Sequence, residues 1–298
     1  MYINHNQMAT NVANTLTSHY GNLQTSTQRL SSGLRVNSAS DDAAGLAIRE
    51  LMRSDIAALN QGVRNANDAI SLLQTADGAL GVIDEKLVRM KELAEQAATG
   101  TYDSTQRLMI ESEYQAMASE ITRIANATDF NNIKLLDGSL SGVHKGFGGG
   151  DNELASQGAL KVHFGTANDS AEDYYYIEIG DCTASALGVG NQAAETADAY
   201  TVSTQGAAQK ALVGINNAII SKDKIRAHLG ALQNRLENTI SNLTTQAENL
   251  QAAESRISDV DVATEMTQFV RNQILTQSAV AMLSQANSMQ QMAMQLIG

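Results

Sequence analysis

Apolar side chains recur every three or four residues along most of the chain, which is the spacing of one face of an α-helix. The first long stripe predicts a continuous helix from Ala43 to Ala98, capped at its start by Asp41 or Asp42 and ended by Thr99 and Gly100. Alternating steps of three and four are typical of coiled-coil packing. The stripe consists of Met52, Ile56, Leu59, Val63, Ala66, Ile70, Leu73, Ala76, Leu80, Ile83, Leu87, Met90, Ala94 and Ala97.

Two further stripes predict two more helices. The first comprises Ile110, Tyr114, Met117, Ile121 and Ile124. The second comprises Ile225, Leu229, Leu232, Leu236, Thr239, Leu243, Ala247, Leu250, Ala253 and Ile257. Such helices can bury their stripes only against one another. The predicted fold is therefore mainly α, a long antiparallel helical bundle or coiled coil formed by both chain ends.

The middle of the chain has a different pattern. Residues 138–205 contain six of the 12 aromatic residues, and nine acidic against two basic residues. Two β-rich runs, 159–164 and 174–179, are separated by polar turn residues and predict a small β-hairpin region. Because an isolated hairpin is marginally stable in water, we expect it to pack against the helical bundle.

The two ends of the chain have helical spacing but almost no charge. Residues 1–40 contain only Arg29 and Arg35 as charged residues, and residues 272–298 contain none. A monomeric protein usually places Lys and Glu on such helices to remain soluble. We therefore expect these faces to be buried against other copies of the same segments. The predicted assembly interface comprises Val12, Leu16, Leu23, Leu30, Leu275, Met282, Met289 and Leu296.

Composition narrows the range of functions. The chain has no proline, where average usage gives about 15 in this length, so long helices can run without interruption. A net charge of −12 and a pI near 4.8 argue against nucleic acid and anionic lipid as partners. The sequence contains no run of 18 consecutive apolar residues, so we predict no membrane insertion. No secretory signal peptide is visible at the N-terminus.

The sequence offers little catalytic chemistry. The five histidines lie far apart without metal-ligand spacing, and Cys182 is the single cysteine. The glycine-rich run 146–150 lacks the Lys-Ser/Thr of a phosphate loop and is interpreted as a surface turn. The methionines near the C-terminus fit either a peptide-binding surface or a coiled-coil core, and their heptad spacing favours packing between subunits. We predict no enzyme activity, and no catalytic, cofactor-binding or metal-binding residues.

Several long motifs resemble bacterial flagellin, in order, over roughly residues 1–140 and 206–298. They are LSSGLRVNSASDDAAGLAI at 30–48, FNNIKLLDG at 130–138, LGALQNRL at 229–236, SRISDVD at 255–261 and MLSQAN at 282–287. The family tail often has a proline after the last motif, where this chain has Ser288. That difference favours an uninterrupted last helix.

The resemblance implies a structural subunit that self-assembles into the helical filament of the bacterial flagellum. It implies terminal helices 1–40 and 266–298 in an inner core domain, a helical bundle of 41–138 and 206–265, and a solvent-facing segment 139–205 without a large outer domain. It also implies export through the flagellar type III system without a cleaved signal, to the extracellular flagellum. By family, an export chaperone and the cap and junction proteins are partners.

The family also carries a surface recognised by a vertebrate innate immune receptor. Its motif positions correspond here to Arg89, Leu93 and Glu113. Without the resemblance, Arg89 and Glu113 are interpreted as solvated or subunit-contact charges, and Leu93 as a residue that helps to pack the filament. The alternative function is a flagellar hook-filament junction protein, which has similar terminal helices. An enzyme-bearing flagellin is disfavoured because the middle segment is short and lacks HExxH, and an unrelated polar coiled coil does not explain the ordered motifs.

Overall fold

The computed structural model describes residues 6–141, 158–169, 173–190 and 201–297. It is mainly α, as predicted, and α2 has the bounds predicted from the sequence. The glycine-rich run 146–150 lies outside the described residues. The elements are α1 (Gln7–Ser32), α2 (Ala43–Ala98), α3 (Ser104–Ala127), β1 (Asp129–Phe130), β2 (Ile133–Lys134), β3 (Leu160–His163), β4 (Tyr174–Ile177), α4 (Gln205–Ser258) and α5 (Val262–Ile297).

The chain divides into two compact units. The terminal unit comprises Met1–Ala57 and Ala247–Gly298, and the central unit comprises Ala58–Gln246. The terminal unit therefore contains α1, α5, the beginning of α2 and the end of α4. The central unit contains the rest of α2 and α4, all of α3 and the four strands.

In the terminal unit, α1 packs against α5 in antiparallel orientation. The Asn6 amide at the start of α1 donates to the carbonyl oxygen of Ala286 at 3.2 Å, and Arg29 near its end lies 3.7 Å from Glu265. This arrangement confirms that helices from the two ends of the chain meet.

The segments that follow α1 and α4 are also paired. Gly33 ends α1 in a left-handed conformation (φ 74°), which glycine adopts without the steric cost of a Cβ. Its carbonyl oxygen accepts from the N–H of Val260 at 3.0 Å, and Leu34 forms an antiparallel bridge with Asp259. The backbone thus joins two segments that are distant in sequence.

In the central unit, the predicted helical stripes form the core. Leu73, Leu80 and Leu87 of α2 are fully buried, as are Tyr114 of α3 and Leu229 of α4. Ion pairs join α2 to its neighbours around this core: Lys222–Asp84 and Arg226–Asp77 reach α4, and Arg89–Glu113 reaches α3. The helix-against-helix packing predicted from the stripes is confirmed here.

The predicted hairpin is formed by β3 and β4, which pair in antiparallel register. It packs on the helices, because the Asn65 amide of α2 donates to the carbonyl oxygen of His163 at 2.8 Å. The guanidinium of Arg235 on α4 lies 3.5 Å from the ring centroid of Tyr175. A second hairpin, β1–β2, was not predicted; its two turn residues, Asn131 and Asn132, both have positive φ.

The described residues on either side of 142–157 are joined by a backbone hydrogen bond. The N–H of Gly158 donates to the carbonyl oxygen of Ser139 at 3.0 Å. A further backbone bond, from Cys182 to Leu136 at 3.0 Å, holds the later part of the middle segment to the same region. Both ends of this stretch are therefore fixed to one place in the fold.

Candidate assembly surface on the terminal helices

Helices α1 and α5 have well-formed N-termini. The Asn6 side chain accepts from the N–H of Ala9 at 3.0 Å at the start of α1. At the start of α5, Asp261 accepts from the hydroxyl of Thr264 at 2.8 Å and from the N–H of Ala263 at 3.0 Å. These bonds, the one from Thr264 first, hold the pKa of Asp261 below its ordinary value. Each helix therefore has a side chain that satisfies at least one of its first free N–H groups.

The face of α5 turned toward α1 is a regular heptad that is half polar. Apart from the half-buried Ser288, the buried and half-buried positions follow strict steps of four and three, which is the spacing of a helix–helix seam. They are Glu265, Phe269, Asn272, Thr276, Ala279, Leu283, Ala286 and Gln290. Because four of these eight side chains are polar, the seam buries little apolar area for its length.

The facing positions of α1 include the predicted assembly residues of that helix. These residues, Val12, Leu16, Leu23 and Leu30, are each half-buried. The same helical stripe also contains the half-buried His19 and the buried Ser26. Since α1 packs along α5, this half-buried stripe is the face turned toward α5 of the same chain. Within one copy, these four residues therefore already have a partner helix.

Polar atoms in this seam are incompletely satisfied. Among the described residues, the buried Nδ1 of His19 and the buried Nε of Arg29 have no hydrogen-bond partner. Arg29 and Glu265 approach only to 3.7 Å, which is too long for a hydrogen bond. A buried polar group without a partner costs about 1–3 kcal/mol, so the α1–α5 pair is weakly held for its length.

Outside the seam, α5 exposes large apolar side chains on several sides. Leu275, Met282 and Met289 of the predicted heptad are 38%, 57% and 39% exposed, whereas the alanines between them, Ala279 and Ala286, belong to the buried seam. The side chain of Leu296 lies outside the described part. The other exposed apolar residues of this helix are Val262, Met266, Val270, Ile274, Val280 and Met292. Exposed apolar surface of this extent marks an interaction site.

Sequence reasoning missed the polar half of the seam. It identified the heptad through Leu275 and Met282 as a face for packing between subunits and did not identify the face turned toward α1. The structure turns Asn272 and Thr276 inward instead. The sequence did contain a sign of this second face. The predicted stripe and the observed seam share Ala279 and Ala286, so a small rotation of α5 about its axis exchanges one for the other.

The residues predicted for receptor recognition lie in the central unit. The Arg89 guanidinium donates to one carboxylate oxygen of Glu113, from Nε at 3.0 Å and from a terminal nitrogen at 2.8 Å. Its other terminal nitrogen donates to Glu92 at 2.9 Å. These bonds, with that to Glu113 the strongest, raise the pKa of Arg89. The structure thus brings Arg89 and Glu113 together on the surface, whereas Leu93 is only 2% exposed.

Other candidate chemistry is sparse in the part of the chain that the structure describes. Across those residues, no three His, Cys, Asp or Glu side chains gather where they could hold a metal ion. Cys182 is buried, and burial together with the nearby Asp181 raises the pKa of its thiol to about 12, which disfavours the reactive thiolate. Within the same residues, no helix is both long and apolar enough to cross a membrane.

Comparisons with known proteins agree with the motifs in the terminal helices. The family model described as the bacterial flagellin N-terminal helical region matches residues 3–141, and that of the bacterial flagellin C-terminal helical region matches residues 212–297. A flagellin from Halalkalibacterium halodurans is 40% identical over 297 residues, with all of both chains covered. The flagellar filament 33 kDa core protein of Treponema phagedenis is likewise 40% identical over 297 residues, again with full coverage of both chains.

A solved structure gives a further comparison. The crystal structure of Bacillus cereus flagellin is 29% identical in sequence and superposes with a TM-score of 0.47. The superposition covers 64% of this chain and 94% of the other.

Proposed function

The chain belongs to the bacterial flagellin family, and from this premise we propose how its terminal helices build a polymer. The protein is a structural subunit of the helical filament of the bacterial flagellum, the organelle of motility. Relatives that cover the whole chain are themselves described as flagellins and filament core proteins, so the hook-filament junction alternative is not favoured. As a filament component, the protein is part of the extracellular flagellum.

One observation carries the proposed mechanism: α5 exposes more apolar surface than α1 can cover. Leu275, Met282 and Met289 point away from the α1–α5 seam, on a helix without a charged residue after Arg271. Burying such side chains is worth roughly 1.5–3 kcal/mol each, and only further copies of the chain supply a matching surface repeatedly. A contact between two different surfaces of one subunit, repeated without closure, generates a helical filament.

The weak α1–α5 seam couples folding of the ends to assembly. Ordering a helix costs conformational entropy that the half-polar seam offsets poorly in a single copy. We propose that residues 1–40 and 266–298 are disordered in the free monomer and form the inner core domain in the filament. Residues 41–138 and 206–265 then form the surrounding bundle, and residues 139–205 face solvent. Val12, Leu16, Leu23 and Leu30 would keep α5 as their partner, while Leu275, Met282, Met289 and Leu296 would contact neighbouring subunits.

Membership of the family also supports a route of export from the cell and a set of protein partners. We propose export through the flagellar type III system without a cleaved signal. An export chaperone would cover the apolar terminal helices before assembly, and the cap and junction proteins would contact them at the ends of the filament. The family is one of structural proteins, and we propose that this chain has no enzymatic activity.

The exposed Arg89–Glu113 pair supports a second contact surface. We propose that a vertebrate innate immune receptor recognises Arg89 and Glu113 on the monomer, with the buried Leu93 maintaining the helix packing that presents them. A reporter-cell assay on monomer tests this, with Arg89→Ala expected to lower the response and Arg123→Ala, an exposed arginine on α3, expected to leave it unchanged. A silent wild-type monomer would remove the receptor from the list of partners.

Seeded polymerisation tests the assembly surface. Purified chain is mixed with filament fragments, growth is followed by light scattering, and the product is examined by electron microscopy. We expect wild-type protein to form long helical tubes. Leu275→Gln combined with Met282→Gln should raise the concentration needed for growth at least about tenfold, since two exposed apolar contacts are lost.

The matched control is Gln277→Ala, a change at an exposed polar position of the same helix. It should polymerise like the wild type, and circular dichroism should show the same helix content for all three proteins. Equal growth of the double variant would show that this face of α5 makes no subunit contact. Wild-type chains that form only short rings or caps would instead favour the junction protein.

A further inference from the structure

The outer face of the β3–β4 hairpin presents two tyrosines beside two basic side chains. Antiparallel register places Lys161 opposite Tyr176 and His163 opposite Tyr174. Side chains of directly opposed residues share one face of a hairpin, so all four lie on the same side. Tyr176 is 42% exposed, and the other three are half-buried. None of these four residues belongs to the terminal helices to which the proposed assembly surface is assigned.

These side chains form one connected cluster. The rings of Tyr174 and Tyr176 meet edge to face with centroids 5.4 Å apart, and His163 stacks on Tyr174 at 6.1 Å. The ammonium of Lys161 lies 3.5 Å from the centroid of the Tyr174 ring. Both geometries are favourable for aromatic rings. The exposed ring of Tyr176 is thus held in a fixed orientation by its neighbours.

The opposite face of the hairpin anchors this cluster to the helices. Tyr175 packs between Phe164, with centroids 4.6 Å apart, and the guanidinium of Arg235 on α4. On α2, Asn65 donates to the carbonyl oxygen of His163, and Gly62 lies so close to Phe164 that a Cβ there would overlap its carbonyl oxygen. The cluster therefore sits on a rigid support, which lowers the entropic cost of binding a ligand.

A cavity of about 390 Å³ adjoins this face. Lys161 and His163 belong both to the cluster and to the cavity wall. Its apolar lining includes Leu72 and Phe130, and its polar lining includes Asn131 and Asp68. The cavity is open to solvent, and its lining combines apolar walls with a few polar groups, as the lining of small-molecule sites does.

The chemistry of the site selects the ligand class. A sugar ring has apolar C–H faces that pack on an aromatic plane, and hydroxyl edges that pair with groups able to donate or accept. Tyr176, which is not in the cavity wall, supplies the plane beside it, while Asn131 and Asp68 in the wall supply amide and carboxylate partners. A polyanionic ligand is disfavoured by Asp68 in the wall and by the net charge of −12. We propose that the outer face of the β3–β4 hairpin and the adjoining cavity bind a neutral carbohydrate.

Titration of the monomer with neutral and sialylated oligosaccharides tests the site. The neutral panel consists of maltotriose, cellotriose, chitotriose and N-acetyllactosamine, followed by saturation-transfer NMR and calorimetry. We expect at least one neutral member to bind. Tyr176→Ala and Asp68→Ala should each weaken that binding at least about tenfold, and Tyr176→Phe should retain it because the ring remains.

The matched control is Tyr20→Ala, which removes an exposed tyrosine from α1 in the terminal unit. It should bind the sugar like the wild type. Absence of binding to every neutral member, binding confined to sialylated members, or undiminished binding by Tyr176→Ala with an intact near-ultraviolet dichroism spectrum would each overturn the proposal. Because the measurement uses monomer, its outcome is independent of whether the chain polymerises.

Discussion

The ammonium group of Lys222 lies 2.6 Å from a carboxylate oxygen of Asp84, which ties α4 to α2 within the central unit. The side chain of Lys222 is only 2% exposed, and its second partner, Asp223, lies 2.7 Å away. Burial acts to lower the pKa of Lys222, but the hydrogen bonds to Asp223 and Asp84 outweigh it and raise the pKa above its ordinary value. A buried lysine held by two carboxylates fixes the register of the two helices.

Lys222→Met is expected to destabilise the central unit. The change leaves Asp84 and Asp223 without their shared cation, and the loss of charged hydrogen bonds costs about 1.5–3 kcal/mol of unfolding free energy. Urea denaturation followed by circular dichroism measures it. Lys224→Met, at an exposed position of the same helix, is the control and should change the unfolding free energy by less than about 0.5 kcal/mol. Equal effects of the two changes would contradict a structural role for the Lys222 pair.

Two glycines of α2 should respond in opposite directions to replacement by alanine. A Cβ at Gly62 would overlap the carbonyl oxygen of Phe164, so Gly62→Ala should displace the β3–β4 hairpin and cost roughly 1–3 kcal/mol. A Cβ at Gly78 would meet no atom within 4 Å beyond the neighbouring backbone of its own helix, so Gly78→Ala should stabilise the helix by about 0.5–1 kcal/mol. Urea denaturation with near-ultraviolet dichroism of the hairpin tyrosines distinguishes the two. A Gly62→Ala protein as stable as Gly78→Ala would refute the close packing.

An apolar residue in the polar seam should order the terminal helices of the monomer. Asn272 is 9% exposed on the face of α5 turned toward α1. Asn272→Leu replaces a buried amide by an apolar side chain, and should strengthen the α1–α5 pair by roughly 1–2 kcal/mol. Amide hydrogen exchange of α1 in the monomer should slow by about tenfold, since 1.4 kcal/mol corresponds to a factor of ten.

The control for this change is Asn287→Leu, at an exposed position of α5. It adds the same apolar side chain outside the seam and should leave the exchange of α1 unchanged. If both variants slow exchange equally, the effect comes from hydrophobicity in general and not from the seam.

Acid should loosen the junctions of the terminal unit before its helices. The pKa of Asp41 lies below its ordinary value of 3.8, chiefly because it accepts hydrogen bonds from the hydroxyl and the N–H of Ser38. The pKa of Asp261 is lowered by its bonds to Thr264. A carboxylate with a lowered native pKa stabilises the fold fully above the unfolded value, and this contribution disappears as the pH falls through the native pKa.

Hydrogen exchange corrected for intrinsic rates checks this pH dependence. Segments 37–42 and 261–264 should lose protection below about pH 4. In Asp41→Asn, which cannot be charged, the exchange of residues 37–42 should be faster at neutral pH and nearly independent of acid. Identical acid sensitivity in the variant and the wild type would assign the effect to other carboxylates.

The helices could be predicted from the sequence because their signal is local. Alternating steps of three and four, the absence of proline and the caps around Asp42 determine the bounds of α2 without reference to the rest of the chain. The β3–β4 hairpin was predicted from its alternating β-rich runs. The β1–β2 hairpin was missed because its turn depends on Asn131 and Asn132 adopting positive φ, which asparagine tolerates but does not require.

The candidate site could be predicted only in part. Low charge and heptad spacing identified α1 and α5 as interacting helices. The rotation of α5 is determined by contacts far apart in sequence, such as the Leu34–Asp259 bridge and the approach of Arg29 to Glu265. The sequence did not show that the face of α5 through Asn272 and Thr276 packs against α1. It placed Leu275 and Met282 in the interface between copies. Whether they contact neighbouring subunits stays a prediction.

The hydrogen bond between Gly158 and Ser139 has a consequence for protein engineering. Because the backbones of Ser139 and Gly158 are hydrogen-bonded to each other, foreign sequence placed between these two residues does not change the distance that the connection has to bridge. Lengthening a flexible connection between two fixed points costs only about 0.6 kcal/mol per doubling. A peptide epitope or a small folded domain inserted there would be displayed in one copy per subunit, so the filament would serve as a regular multivalent scaffold.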